Sequence, residues 1–418
     1  MALTVTAAKL AGLALVAASA TVSSTPAATT PLLVNSGTTP TTNMIRQCGT
    51  QLWAVGSFTS IGSPGHPAVT RNNVVAFDLA TGAVAPVDPN VNGQVNTITF
   101  SPDCSSAYIG GAFTSVGGTT VTNIAKISTT TGAVDPAFAH TSPGKVSALL
   151  YVGGHLLAGG YFKTINGSTG STASYLTSLS PTTGKVDGYA NNLGISGTLP
   201  KDVTHIYKMW ANPTSDRVAI DGVFTSVLGG ARRQAFILDL GASAVSLDPW
   251  YAPVLNEACT SSVEQFYTKG LAWSPDGSVL YIASTGFRGA TLCDSVAKFS
   301  SSPSPAQAPI WINKTGGDSL YSVVATATDV YVGGHNRWLN NPNGLNTCGP
   351  GCVSRPGIGD VDPSTGLATP WNPTRSRGHG AGDLFLDSAG DLWISSDAPL
   401  GSKCGGVFHP GICEFAHS

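Results

Sequence analysis

The sequence predicts an all-β protein, a seven-bladed β-propeller with four-stranded antiparallel blades, closed by an N-terminal strand. Three observations carry this expectation. Charged residues are only 11% of the 418, and just three acids are Glu (Glu257, Glu264 and Glu414), so helix-favouring surface chemistry is scarce while turn-forming Gly (50) and Pro (27) abound. A motif recurs: Leu52-Trp53-Ala54-Val55-Gly56-Ser57-Phe58-Thr59-Ser60-Ile61 returns as Ala107 to Val116, Leu157 to Ile165 and Val218 to Val227, with weaker copies from Leu280, Val330 and Leu392. Around each copy lie short alternating runs separated by Gly, Asp and Pro turns, which read as antiparallel strands, four to a unit of about 50 residues.

Residues 1–20 read as a secretory signal peptide: Lys9, an apolar run from Leu10 to Ala17, then the small-residue site Ala18-Ser19-Ala20. The run is shorter than the roughly 20 apolar residues that cross a bilayer. Residues 21–43, rich in Thr, Ser, Pro and Ala, read as a linker, and Pro31-Leu32-Leu33-Val34 within it is the expected closing strand. Residues 44–418 are then the propeller, with blades starting near 42, 94, 145, 204, 268, 319 and 380. In each unit an alternating run such as Val95 to Phe100 leads to a tight turn such as Ser101-Pro102-Asp103. The glycine-rich strand follows, then a third strand such as Asn123 to Ile127, and a Thr-Gly turn to a fourth. The last unit lacks its outer strand, which is why an N-terminal strand is expected to complete it and remove an open edge.

The stretch from Gly110 to Phe138, "GG-x-F-T-S-V-x-G … N-I-A-K-I … T-G-A-V-D-P-x-F", resembles the delta-60-type repeat of secreted bacterial β-propellers. Val330 to Trp338, with Asn341-Pro342 and Arg355-Pro356-Gly357, resembles the sixth blade of that group. The likeness covers roughly residues 42–418 and departs in blades four, five and seven, where Gly241 replaces Thr-Gly and blade five lacks a clear Gly-Gly-x-Phe. It implies a propeller and a secreted location, and supplies no catalytic residues.

If the strands of a blade run inner to outer, turns between strands one and two and between three and four share one face. These are short. The other connections, at 57–72, 161–174, 188–203, 250–267, 286–294, 334–357 and 372–380, share the opposite face and are long. Long loops on a rigid repeat scaffold often form its binding face. The eight cysteines, an even number with no paired C-x-x-C, suit disulfides in an oxidising space better than a metal site. The face map groups them as Cys48 with Cys104, Cys259 with Cys293, Cys348 with Cys352 and Cys404 with Cys413, among 105 formal connectivities. It also puts eight of the ten arginines (Arg71, Arg232, Arg233, Arg288, Arg337, Arg355, Arg375 and Arg377) on the long-loop face. Such arginines either grip an anion or cap local carbonyls.

The densest polar cluster is His335, Asn336, Arg337, Trp338, Asn340 and Asn341, with Arg355 in the same loop and Arg375, Arg377 and His379 in the next. These ten are the expected ligand-binding residues, Trp338 stacking on a sugar ring; the competing reading packs Trp338 between blades and makes Asn340-Asn341-Pro342 a turn. Net charge is -2, which disfavours nucleic acid. A glycosidase needs two flanking carboxylates, and Glu257 with Glu264 is a weak pair. There is no G-x-S-x-G elbow, no phosphate loop, and no histidine spacing suited to metal. No cofactor is therefore expected. The function expected is a secreted, monomeric binding module for an extracellular or cell-surface glycan, another anionic ligand or an extracellular protein. The alternatives are a lyase-like glycan enzyme with His335 or His379 as base beside Arg337, or a structural surface protein.

Overall fold

A computed structural model describes residues 22–34, 40–168, 170–259, 267–287, 291–376, 380–396 and 402–417. The expected signal peptide lies outside the described residues. The described residues are all-β and, besides five smaller sheets of two or three short strands in the loops, form seven principal antiparallel sheets in sequence order. Their first, inner strands are Thr41–Cys48, Gln94–Phe100, Val146–Val152, His205–Ala211, Thr268–Trp273, Leu320–Ala325 and Ala381–Leu386. Each inner strand contacts the inner strand of the next sheet, and the seventh contacts the first.

The second strands, such as Ser106–Ala112 and His155–Gly160, are buried almost end to end. They have a neighbour on both faces, which calls for continuous apolar sequence. The core accordingly lies between sheets. Trp53 and Val55 pack on Ile98 and Ile109 between the first and second. Trp393 and Ile412 of the seventh sheet pack on Ile45, Leu52 and Phe77 of the first.

Two differences from expectation have local causes. Only the fourth and fifth sheets have a full fourth strand, Val245–Leu247 and Pro309–Lys314. In the first, second, third and sixth, the Thr-Gly turn returns the chain for a single bridge (Phe77 to Val84, Ile127 to Val134, Leu179 to Val186, Val361 to Ala368) before a Pro, Gly or Asp segment carries it away. The closing segment also differs. Leu32–Leu33 joins a sheet with Ser60–Gly62 of the first unit, and touches the last unit through Leu33 N, which donates to Pro410 O at 3.1 Å. Beside the last strand, Ile412–Phe415, runs an earlier and irregular stretch: Val22 bridges His417, Ser23 N donates to Ala416 O, and Ala27 N donates to Glu414 O. The segment read as a linker is thus packed, with Val22, Thr30 and Leu33 buried. Thr30 Oγ1 donates to Glu414 at 2.9 Å.

The cysteines are joined Cys48–Cys104, Cys259–Cys293, Cys348–Cys352 and Cys404–Cys413, the pairs that the face map groups. No helix among the described residues is long and apolar enough to cross a membrane.

The repeated glycine has a physical reason. Each inner strand carries a register shift near its start, with one residue out of pairing: Asn43, Asn96, Ser147, Tyr207, Lys269, Tyr321 and Gly382. The bulge drives a carbonyl towards the second strand. A Cβ on Gly56, Gly111, Gly160, Gly222 or Gly334 would stand under 3.0 Å from that oxygen. In the fifth and seventh sheets Ser284 and Ser396 occupy the paired position.

Candidate functional site

The expected cluster of the sixth unit is bonded largely to the chain itself. Asn336 is buried and its Nδ2 donates to Arg355 O. Arg337 clamps Asp318 through Nε at 2.8 Å and Nη2 at 2.9 Å, and lies 4.2 Å over the Trp338 ring. Asn340 Oδ1 accepts from Asn313 and from Ala368 N. Asn341 is buried, donating to Thr315 O and Thr347 O and accepting from Gly349 N. Arg355 donates to Ser354 O and Thr369 O, and Arg375 is buried. Arg377 and His379 lie outside the described residues. Loop backbone that leaves a sheet needs partners, and these side chains provide them. Arg71 and Arg232 do the same, donating to the carbonyls of Ala85 and of Ala231. Glu257 accepts from Thr291 N at 2.8 Å, while Glu264 lies outside the described residues.

Among the described residues of the cluster, His335 alone lines the cavity among the inner strands. That cavity holds about 450 Å³ and is walled by Thr41, Thr42, Asn43, Gln94, Lys208, Lys269, Tyr321, His335, Gly380 and Gly382, which come from six of the seven sheets. Such a volume suits a small ligand. Four of the seven bulged residues (Asn43, Lys269, Tyr321, Gly382) stand in its wall. Bulges re-aim side chains and collect at functional rims. Here they put the least regular position of the repeat at the centre of the molecule.

Beside Lys269 lies a row of rings and ammonium groups from the third, fourth and fifth sheets. His205 stacks on Tyr161 at 3.9 Å and meets Tyr207 edge-on at 4.3 Å. Lys145 Nζ lies 4.5 Å over Tyr161, and Lys269 Nζ lies 3.3 Å over Tyr207 and 5.2 Å from Tyr267. His205 Nδ1 is 2.7 Å from Val203 O and Nε2 is 2.9 Å from the Tyr161 hydroxyl. The neutral ring satisfies both contacts if Nδ1 carries the proton and Nε2 accepts from Tyr161. Burial holds His205 in that neutral form, with its pKa down to about 4, and pushes the Tyr161 hydroxyl up to about 12. Tyr207 donates to Asp202 at 2.9 Å, and burial pushes its hydroxyl up as well. This pairing disfavours tyrosinate formation, so it orients rings and donors more readily than it supplies a base.

Lys269 is lowered to about 7, chiefly by burial, with Asp221 and Asp202 opposing. Asp221 is raised to about 7 by burial, with Lys208 and Lys269 opposing. The floor is closed by cross-ring contacts. Lys208 Nζ donates to Gly382 O at 2.8 Å and Tyr321 O at 3.2 Å. Arg46 pairs with Asp383 at 2.6 Å and covers Trp210 at 4.4 Å. Beyond this plug, towards the far ends of the inner strands, lies an apolar pocket of about 290 Å³ lined by Trp210, Leu271, Trp273 and Phe385. No group of three His, Cys, Asp or Glu among the described residues is placed to hold a metal ion.

Sequence reasoning missed Lys208, Lys269, Tyr207, Tyr321 and His205. They sit near strand starts, where long loops do not draw attention. The available signal was the column of residues at the start of each inner strand, Asn-Asn-Ser-Tyr-Lys-Tyr-Gly through the seven repeats, which varies in size and charge while the residue before it stays apolar or Thr.

No family model matches the sequence, and no curated protein matches it. The solved structures similar to this chain include two of the extracellular domain of one B. thetaiotaomicron protein, described in one as a one component system and in the other as a hybrid two component system. Each is 13% identical with a TM-score of 0.49 over 92% of this chain. The chain spans 39% of the length of those structures.

Proposed function

We propose that the chain is an extracellular binding module, built as a closed seven-bladed β-propeller of the delta-60 repeat type, whose ligand site is the mouth of the central cavity. The ligand proposed is an extracellular or cell-surface glycan. The observation that carries this reading is the wall itself: a cavity of about 450 Å³ with hydroxyl, amide, imidazole and ammonium groups from six sheets converging on it. Contacts running from the first inner strand round to the seventh and back support the closed propeller. Four disulfides support an oxidising, extracellular setting. The lyase-like alternative loses a free Arg337, which Asp318 occupies, and retains His335 beside Tyr321.

The test uses an open position in the wall. A Cβ on Gly382 meets nothing within 4 Å, so Gly382→Trp fills the mouth without deleting any side-chain group. Glycan-array binding at low and high salt is expected for the parent protein and for Gly382→Ala, and lost in Gly382→Trp. Undiminished binding by folded Gly382→Trp refutes the cavity as the site. Product release from a bound polymer replaces the binding reading with the enzymatic one.

A further inference from the structure

The residue immediately before each third strand is left-handed: Asn73, Asn123, Tyr175, Gln234, Asp294, Gly357 and Gly411, with φ between 50° and 81°. In the first four units the backbone bonds show that these positions are equivalent. Asn73 N, Asn123 N, Tyr175 N and Gln234 N donate to the carbonyls of Phe58, Phe113, Phe162 and Phe224. Their own carbonyls accept from Gly56 N, Gly111 N, Gly160 N and Gly222 N. Glycine, asparagine and aspartate take this backbone region at the least cost. Asn73 and Asn123 also accept from Phe58 N and Phe113 N through Oδ1. Gln234 is buried and ties two sheets together, accepting from Thr268 N and donating to Leu255 O. Tyr175 is the exception. A bulky side chain strains a left-handed backbone, and a tyrosine carries its only acceptor at the far end of the ring.

The strained residue borders a groove. Half-buried Tyr175, with Lys163, Ser174, Asn192, Ser196 and Thr204, lines a space of about 530 Å³. These residues come from the loop before the third strand of the third unit and from the segment leading into the fourth unit. The groove therefore opens on the long-loop face. Its volume suits a small-ligand site, and hydroxyl, amide and ammonium groups rim it. A pyranose presents an apolar C–H face to a flat ring and hydroxyls that both donate and accept to such a rim. No other unit has an aromatic residue at the left-handed position.

We propose that Tyr175 is the stacking platform of a second sugar subsite, in the groove between the third and fourth units, and that its backbone strain is retained for this contact. The subsite rests on the reading of the chain as a glycan-binding module and not on the central cavity as its site.

The experiment joins glycan-array binding to urea unfolding of the full chain. The array carries neutral and acidic oligosaccharides, and the proteins are the parent, Tyr175→Asn, Tyr175→Phe and Gly382→Trp. Tyr175→Asn installs the side chain of the first and second units. It is expected to raise the urea midpoint while weakening glycan binding about tenfold. Tyr175→Phe keeps the ring and is expected to bind as the parent does; a loss equal to that of Tyr175→Asn overturns stacking as the contact. A lower midpoint for Tyr175→Asn overturns the proposal, because the ring is then held by its packing on the apolar core of these units. Undiminished binding by Tyr175→Asn, with binding lost in Gly382→Trp, overturns the subsite and leaves the cavity reading standing. The reverse result supports the subsite and overturns the cavity, and a parent that binds no glycan overturns both.

Discussion

Replacing Lys269 by Met should stabilise the ligand-free protein, and should do so most at low pH. In the folded chain the Lys269 ammonium rests on Tyr207 at 3.3 Å, and burial brings its pKa from 10.5 down to about 7. At about 1.4 kcal/mol per unit, that shift sets an upper limit of about 5 kcal/mol on the penalty. Because Nζ borders a cavity open to water, about 2 kcal/mol is a better expectation. The penalised form is the protonated one. Below about pH 7 folded and unfolded chains both carry the proton, and the penalty is complete. Between there and the ordinary lysine pKa the unfolded chain binds more protons, so stability rises with pH and the penalty fades. Asp221, itself raised to about 7 and helped by Lys269, loses a neighbouring cation in the variant. The cleanest comparison is therefore at about pH 5.5, where Asp221 is protonated in the folded state. Urea unfolding at about pH 5.5 and about pH 9.5 reads the effect. Lys269→Met should have the higher midpoint at the lower pH, with the gap narrowing at the higher. A gap independent of pH, or a variant less stable at about pH 5.5, would mean that burial does not penalise the ammonium.

Two further substitutions separate scaffold from site. Gly222→Ala puts a Cβ under 3.0 Å from His205 O and should cost about 2–3 kcal/mol in urea unfolding. Gly382→Ala, with open space around its Cβ, should stay within about 0.5 kcal/mol of the parent; equal losses at both positions would show that the bulge carbonyl is not what excludes a side chain. Arg337→Ala strips the buried Asp318 of its bidentate partner and should cost about 2–3 kcal/mol. Its signature should be faster hydrogen exchange across residues 334–357 with glycan binding intact. Loss of binding while exchange there is unchanged would return the ligand site to the asparagine and arginine cluster of that loop.

The strands were legible because their constraint is local. A glycine that must clear a neighbouring carbonyl, followed by an apolar residue and a hairpin such as Ser115–Val116 with Thr119–Thr120, repeats in the sequence as it repeats in space. The cysteines pair as the map of loop faces groups them. The closing segment was not. Leu32–Leu33 looks like a strand because it is apolar, but its backbone pairs with Ser60–Gly62 while the Leu33 side chain packs over Gly411 beside the last strand. The final strand needs only backbone partners, which Ser23 and Ala27 provide from a stretch with no strand pattern. Side-chain chemistry marks burial and is silent about which backbone a segment will meet.

The polar residues that stand out in the sequence are bonded largely to the chain itself. Asn336, Arg337, Asn341 and Arg355 were conspicuous as donors, yet a long loop generates its own demand for donors, since each carbonyl that leaves a sheet must find one. Conspicuous polarity in an insertion is therefore discounted evidence for a ligand. Lys269 gives the opposite case. It lies in a strand, flanked by Thr268 and Gly270, and the register shift that takes it out of pairing is encoded across the sheet and not in its own surroundings. A repeat scaffold holds its flanking positions to packing requirements and leaves the bulged position free to vary. In this chain the freest column carries two asparagines, two tyrosines and Lys269. For a fold of this kind, the residues that differ most between equivalent inner strands are better candidates for ligand contact than the longest or most basic loop.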